Sequence, residues 1–333
     1  MGRFIGNVFF KTNGVSAALA LIVLTLTALL AGCLASEAPG ASDSPDVTAA
    51  ESSTPPEVID YPFEIPEIPA ASAPGLSVAE NSKATIDYSN VRDGYVMMRF
   101  SGSTTQEVRA LVVTPDQTQY QYRLTPGADY STFPLTGGDG EYAFSVWEHV
   151  EDAKFAQVVA ATVDVTLDNE FVPFLRPNQF VNYSKYSKAV IKAAELTADI
   201  SNPLEIIDVI YNYVFTNISY DEELAKTVQS GYLPDIDAVL EKRTGICFDY
   251  AALTAAMLRS QGVPTRMIFG YTGEDYHAWI SVYTEETGWI ENIIHFDGVS
   301  WNLMDPTFAA GAYKSGIQDF VAAGGDYKAA LTY

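Results

Sequence analysis

Cysteine is nearly absent from this chain: two residues, Cys33 and Cys247, occur in 333. No disulfide framework can therefore hold the fold, and a hydrophobic core must do so, which a chain of this length builds easily. Histidine is almost as scarce, with three residues, His149, His277 and His295. No group of His, Cys or paired carboxylates has the spacing of a metal site, and no glycine-rich phosphate loop occurs, so no cofactor and no metal are expected. Basic residues are few as well, 19 Lys and Arg against 42 Asp and Glu, a net charge of −23. Such acidity argues against nucleic acid and against adhesion to anionic lipid heads, and it favours solubility or a cationic partner.

What is present begins at the amino end. Arg3 and Lys11 precede an uncharged, largely apolar run from Val15 to Leu30, and Leu30-Ala31-Gly32-Cys33 follows. This arrangement resembles a bacterial lipoprotein signal peptide over 1–32, whose cleavage would leave Cys33 first in the mature chain and lipidated. An uncleaved anchor is the alternative, because about 18 apolar residues can just span a bilayer. Both readings put the rest of the chain outside the cytoplasm, held on a membrane of the bacterial cell envelope. Removing 1–32 takes away two basic groups and no acid, leaving 17 basic against 42 acidic residues, a charge of −25. Cys247 is then an odd thiol. Such a thiol pairs between chains, is kept for chemistry, or packs as a small hydrophobe.

Composition divides the remainder. Residues 33–75, with eight acidic residues, eight prolines and no basic group, read as a disordered tether. Residues 76–172 carry period-two alternation, as in Tyr120, Tyr122 and Leu124 and again in Tyr142, Phe144 and Val146. Val96–Phe100, Val108–Val113 and Phe155–Leu167 also read as strands. Turn signals separate them, and the spacing predicts an antiparallel, Ig-like β-sandwich serving as a spacer or binding module. His149 there reads as a surface residue.

Residues 173–333 change to an α+β pattern. A helix is expected over Tyr186–Ile200, with Ser184 as cap. A second is expected over Pro203–Phe215, capped by Asn202 with proline in the first turn. Ile218-Ser219-Tyr220-Asp221 and a mixed segment follow. A third helix, Cys247–Gln261, ends at Gly262 and Pro264. It puts Cys247 in a first turn, where unsatisfied N–H groups and the peptide dipoles favour a thiolate and could hold an oxyanion. Gly245 is expected to permit an unusual φ and close approach of a substrate backbone. Two histidines lie downstream. His277 sits in a strand-like YHAWISVYT, sharing a face with Trp279 and Ser281, while His295 lies beside an Asp297-Gly298 turn and is expected to face solvent. SWNLMDP reads as a strand ending at Asp305, stopped by Pro306. An Asp beside a His could orient an imidazole over a thiol.

The ordered set GICxxYAxLxxAMLRxxGVP, HAWI and WNLMDPT resembles the transglutaminase-like, papain-related superfamily over roughly 190–310. The resemblance implies a papain-like core whose nucleophile, at a helix N-terminus, packs on an antiparallel sheet. It implies Cys247 as nucleophile, His277 as general base and acid, and Asp305 as orienting group. Tyr220 is an oxyanion candidate with an equal claim to be a core aromatic. Trp279, Trp301 and Met304 read as core packing around the site, and Asp249 and Tyr250 receive no chemistry. The implied activity is acyl transfer from peptide or protein amides, either as a cysteine peptidase or amidase or as a cross-linking transglutaminase, with cell-wall peptides among the substrates that location allows. The alternative is a non-catalytic cell-surface binding or scaffold lipoprotein. The tail after Phe308 carries no assigned role.

Overall fold

The computed structural model describes residues 61–272, 275–291, 294–296, 301–303 and 327–333. Cys33, the Val15–Leu30 run, Met304 and Asp305 lie outside these residues. The expected tether is described only from residue 61. There Ile65 and Ile68 pack against the core, and Lys185 pairs with Glu67 at 3.2 Å, so this end of the segment lies on the folded body. Two isoleucines between prolines suffice for that contact even in an acidic stretch.

The first half is antiparallel. Strands β1 (Val78–Glu80), β2 (Ala84–Asp87), β3 (Tyr95–Phe100), β4 (Val108–Val113), β5 (Gln119–Leu124), β6 (Ser131–Pro134), β7 (Gly140–Glu151) and β8 (Lys154–Val165) form two four-stranded sheets. Their orders are β1-β2-β3-β6 and β5-β4-β7-β8. Alternation decides the buried face: Val108, Ala110 and Val112 of β4 point inward, as do Tyr120, Tyr122 and Leu124 of β5. The sheets contact through β2 against β7 and β8 and share one core. His149 in β7 is half-buried, its ring nitrogens bonded to Gln106 Oε1 and the Asp152 carbonyl.

The second half builds around one helix. Helices α1 (Lys188–Thr197), α2 (Pro203–Asn217), α3 (Glu222–Thr227), α4 (Ile236–Lys242) and α5 (Cys247–Ser260) are joined by short strands β9 (Ser219–Tyr220) and β10 (Thr244–Gly245). Ser187, not Ser184, stands at the α1 N-cap position, and its Oγ accepts from the Ser184 amide. The Asn202 side chain caps α2 by accepting from Leu204 N–H, as expected. Asp221 and Asp235 cap α3 and α4 in the same way, so both helices come from the segment read as mixed. α5 is buried along its whole length, against α1, α2 and α4 and against β11 (Thr265–Thr272) and β12 (Asp275–Thr284). A helix apolar on every side belongs inside a domain.

Behind α5 lies a third sheet, in which β12 is followed by β13 (Gly288–Ile290) and β11 is flanked by β16 (Tyr327–Thr332), in the order β13-β12-β11-β16. A hairpin of β14 (Ile294–Phe296) and β15 (Trp301–Leu303) lies beside β12. β16 comes from the tail that had no assigned role. After it, Tyr333 is fully buried, its ring centroid 5.2 Å from Tyr120, 4.4 Å from Phe180 and 5.7 Å from Phe269. Arg259, in the last turn of α5, completes this junction. Its Nε and Nη2 donate to the Thr265 carbonyl, Nη1 to that of Arg176, and Nη2 also to that of Tyr333.

At Gly270 of β11 the backbone of β16 packs close. A Cβ there would lie 2.1 Å from the Lys328 carbonyl oxygen and 2.6 Å from Trp279 Cη2. Backbone cannot swing aside as a flexible side chain can. Gly270→Ala is therefore expected to push β16 off its neighbour and to cost about 1–3 kcal/mol, as overpacked sites do. A thermal melt checks this, and an unchanged midpoint would show that β16 has room to shift.

Candidate active site around Cys247

Cys247 is the first residue of α5 and is 3% exposed. Ile246 precedes it with extended backbone (φ −95°, ψ 178°), so the chain turns sharply into the helix. The short parallel pairing of β9 with β10 builds the entry. It sets Tyr220 opposite Gly245, and the Asp221 amide donates to the Gly245 carbonyl at 2.9 Å. Gly245 is needed for packing. A Cβ there would lie 2.6 Å from Asp249 Cβ. Its φ is not in the left-handed region, so the expectation of an unusual φ gives way to this steric reason.

Backbone amides of Ala278, Phe248 and Cys247 itself bond toward the sulfur and favour a thiolate. Burial nevertheless wins, and the nearby Asp249 carboxylate adds to it: the thiol is pushed up to about 11. The expectation of a thiolate stabilised at a helix start is thus corrected. Helix dipole effects are modest in size, whereas taking an anion out of water is costly. Burial thus favours the neutral thiol over what the helix-start donors supply.

Because Ala278 reaches the sulfur, β12 passes directly beside it. His277 is the preceding residue, half-buried and paired in register with Gly270 of β11. Tyr220 and Tyr276 also lie close enough for the Cys247 charge to act on their phenols, and burial raises both well above the ordinary tyrosine value. Trp279 is buried, as a packing role requires. β15 ends at Leu303, two residues before Asp305, and β14 places His295 opposite Asn302. The structure thus brings Cys247, Tyr220 and the His277 segment together. Asp305 falls outside the described residues. Among the described residues no group of three His, Cys, Asp or Glu could hold a metal ion, and no helix is long and apolar enough to cross a membrane.

Sequence reasoning passed over Asp249 and Tyr232. Asp249 is fully buried, and its two oxygens accept from the Ile246 amide at 2.8 Å and from the Tyr232 hydroxyl at 2.6 Å. Burial raises its carboxyl while these donors lower it. A carboxylate at the third helical position that reaches back to the cap amide is one half of a capping box, and that spacing was the available signal.

Parts of the chain are similar to known proteins. The model of the transglutaminase-like superfamily matches residues 192–292. A protein-glutamine gamma-glutamyltransferase of Pseudomonas aeruginosa is 28% identical over 109 residues, which is 28% of this chain and 14% of that protein. An uncharacterized protein of Mycobacterium tuberculosis is 26% identical over 239 residues, 67% of this chain and 64% of that one. Against the red sea bream transglutaminase structure the TM-score is 0.25, with 15% identity over 64% of this chain and 48% of that one. Residues 192–292 of this chain form a domain of the transglutaminase-like superfamily.

Proposed function

We propose that this protein is a thiol-dependent acyl-transfer enzyme acting on peptide or protein amides, with Cys247 as nucleophile, His277 as base and acid, and Asp305 as orienting group. The observation that carries the reading is the seat of the Cys247 sulfur, at the head of a buried helix and against the β12 backbone next to His277. In this mechanism the sulfur attacks the amide carbonyl carbon as His277 takes the thiol proton. The Cys247 N–H, with Tyr220, holds the oxyanion. The C–N bond then breaks, the leaving amine takes the proton from His277, and a thioester remains. Water attacks the thioester to give an acid and the free thiol, or a second amine takes the acyl group. A neutral resting thiol fits this order, with proton transfer occurring as the new bond forms.

The anchored setting belongs to the same proposal. Cys33 would carry lipid, residues 33–60 would hold the folded body off the membrane of a bacterial cell envelope, and cell-surface peptides would be the substrates. The N-terminal sheets would act as an Ig-like spacer or binding module in a domain of their own, 76–172, ahead of the catalytic domain, 173–333. The name of the Pseudomonas relative favours glutamine side chains as acyl donors.

The experiment is to incubate the purified protein with a peptide library, with and without a primary amine, and to read product masses beside Cys247→Ala. A gain of one mass unit per side-chain amide hydrolysed, cleaved peptides, or amine adducts, all absent in the variant, support the enzyme. Products that persist in Cys247→Ala, or no product with any amide, turn the reading toward a scaffold.

A further inference from the structure

The segment between α3 and α4, residues 228–235, has no regular structure, yet it supplies one buried contact to the site. Tyr232 lays its ring edge-on to Phe248, the residue after Cys247, with centroids 6.2 Å apart. Its hydroxyl donates to Asp249 Oδ1 at 2.6 Å, while Asp249 Oδ2 takes the Ile246 amide at 2.8 Å. A carboxylate with one oxygen held by Tyr232 is oriented so that the other stays on the helix cap. With Gly245 packed against the Asp249 side chain, the backbone on both sides of Cys247 is held by this one group. We propose that Tyr232 is a positioning residue of the Cys247 site: through Asp249, its hydroxyl holds the first turn of α5, and with it the sulfur and the amides that face it.

The proposal rests on Cys247 as the reacting thiol, but its test does not need turnover. In the full chain, trypsin releases residues 244–259 as a peptide whose one cysteine is Cys247, so mass spectrometry reads alkylation there separately from Cys33. With iodoacetamide at pH 8, Tyr232→Phe keeps the ring but frees the first turn. It is expected to raise the rate at this buried thiol about tenfold, the effect of losing one hydrogen bond to a charged group. Asp249→Asn is expected to raise it too, and the double variant no further, because the hydroxyl acts through the carboxylate. A Tyr232→Phe rate within about twofold of wild type, or single effects that multiply in the double variant, overturns the proposal. If Asp249→Asn does not fold, the Tyr232→Phe rate alone decides by the same limit. Where the wild type turns over an amide, Tyr232→Phe is expected to lower kcat about tenfold with KM unchanged, which a loss of substrate contacts would not do. A wild type with no turnover overturns the functional reading, and the alkylation rates then still decide the role of Tyr232.

Discussion

Replacing His277 with alanine is expected to lower kcat for amide turnover by about three to four orders of magnitude, with KM within a few fold of wild type. The size follows from the state of the thiol. Burial pushes Cys247 up to about 11, so near neutral pH almost no thiolate stands ready, and a base must remove the proton during attack. A site relying on a resting thiolate would lose less. The same reasoning fixes a pH profile. Alkylation of the resting wild type should keep climbing as pH rises toward about 11, where a free thiol levels off above about 8.5. Asp305→Asn is expected to leave the fold intact and to cut turnover severely. Turnover unchanged in His277→Ala would remove the imidazole from the mechanism, and unchanged turnover in Asp305→Asn would remove that carboxylate.

Arg259→Met is expected to be strongly destabilising, on the order of 3–5 kcal/mol. Arg259 is 3% exposed, and its four bonds run to backbone carbonyls of Thr265, Arg176 and Tyr333 at 2.7–2.9 Å. Two effects oppose each other. Methionine removes the cost of keeping a guanidinium from water, which alone would stabilise. The Tyr333 oxygen keeps the Met267 N–H at 2.8 Å, but the Thr265 and Arg176 carbonyls lose the guanidinium donors in a dry interior, and an orphaned buried acceptor costs roughly 1–3 kcal/mol. Two such groups, with the weakened tie to Tyr333, outweigh the relief. The melting midpoint should fall by on the order of 10 °C. Arg259→Lys should recover little of it, because an ammonium on a flexible stem cannot reach the α5 end, the β11 start and Tyr333 together. A midpoint within about 2 °C of wild type would show that these carbonyls find other partners.

Much of this architecture was legible in the sequence, and the failures share a cause. β4 and β5 were readable to the residue because alternation is a local signal that burial of one face enforces. α5 was readable because alanine and leucine fill it and Gly262 ends it. α3 and α4 were missed because they are short, although Asp221 and Asp235 announced them as caps. β16 was missed for a different reason: YKAALT becomes a strand through the open side of β11, far away in sequence. The site divided along the same line. The place of Cys247 at a helix start is a local property and was found. Its acidity depends on what encloses the helix, and the role of Asp249 depends on Tyr232, which arrives from a loop with no pattern of its own.

The pairing of β11 with β16 also orders events in time. A chain emerging from its amino end completes β11 and β12 while residues 327–333 are still to come. Until they arrive, β11 presents an open, apolar strand edge, and Arg259 lacks one of its acceptors. Such an edge is a template for pairing with another chain, and closing a contact over so long a stretch is slow. Completion of this sheet therefore waits on residues 327–333. Before that pairing forms, the bare β11 edge is an aggregation hazard, and the pairing with β16 is what covers it.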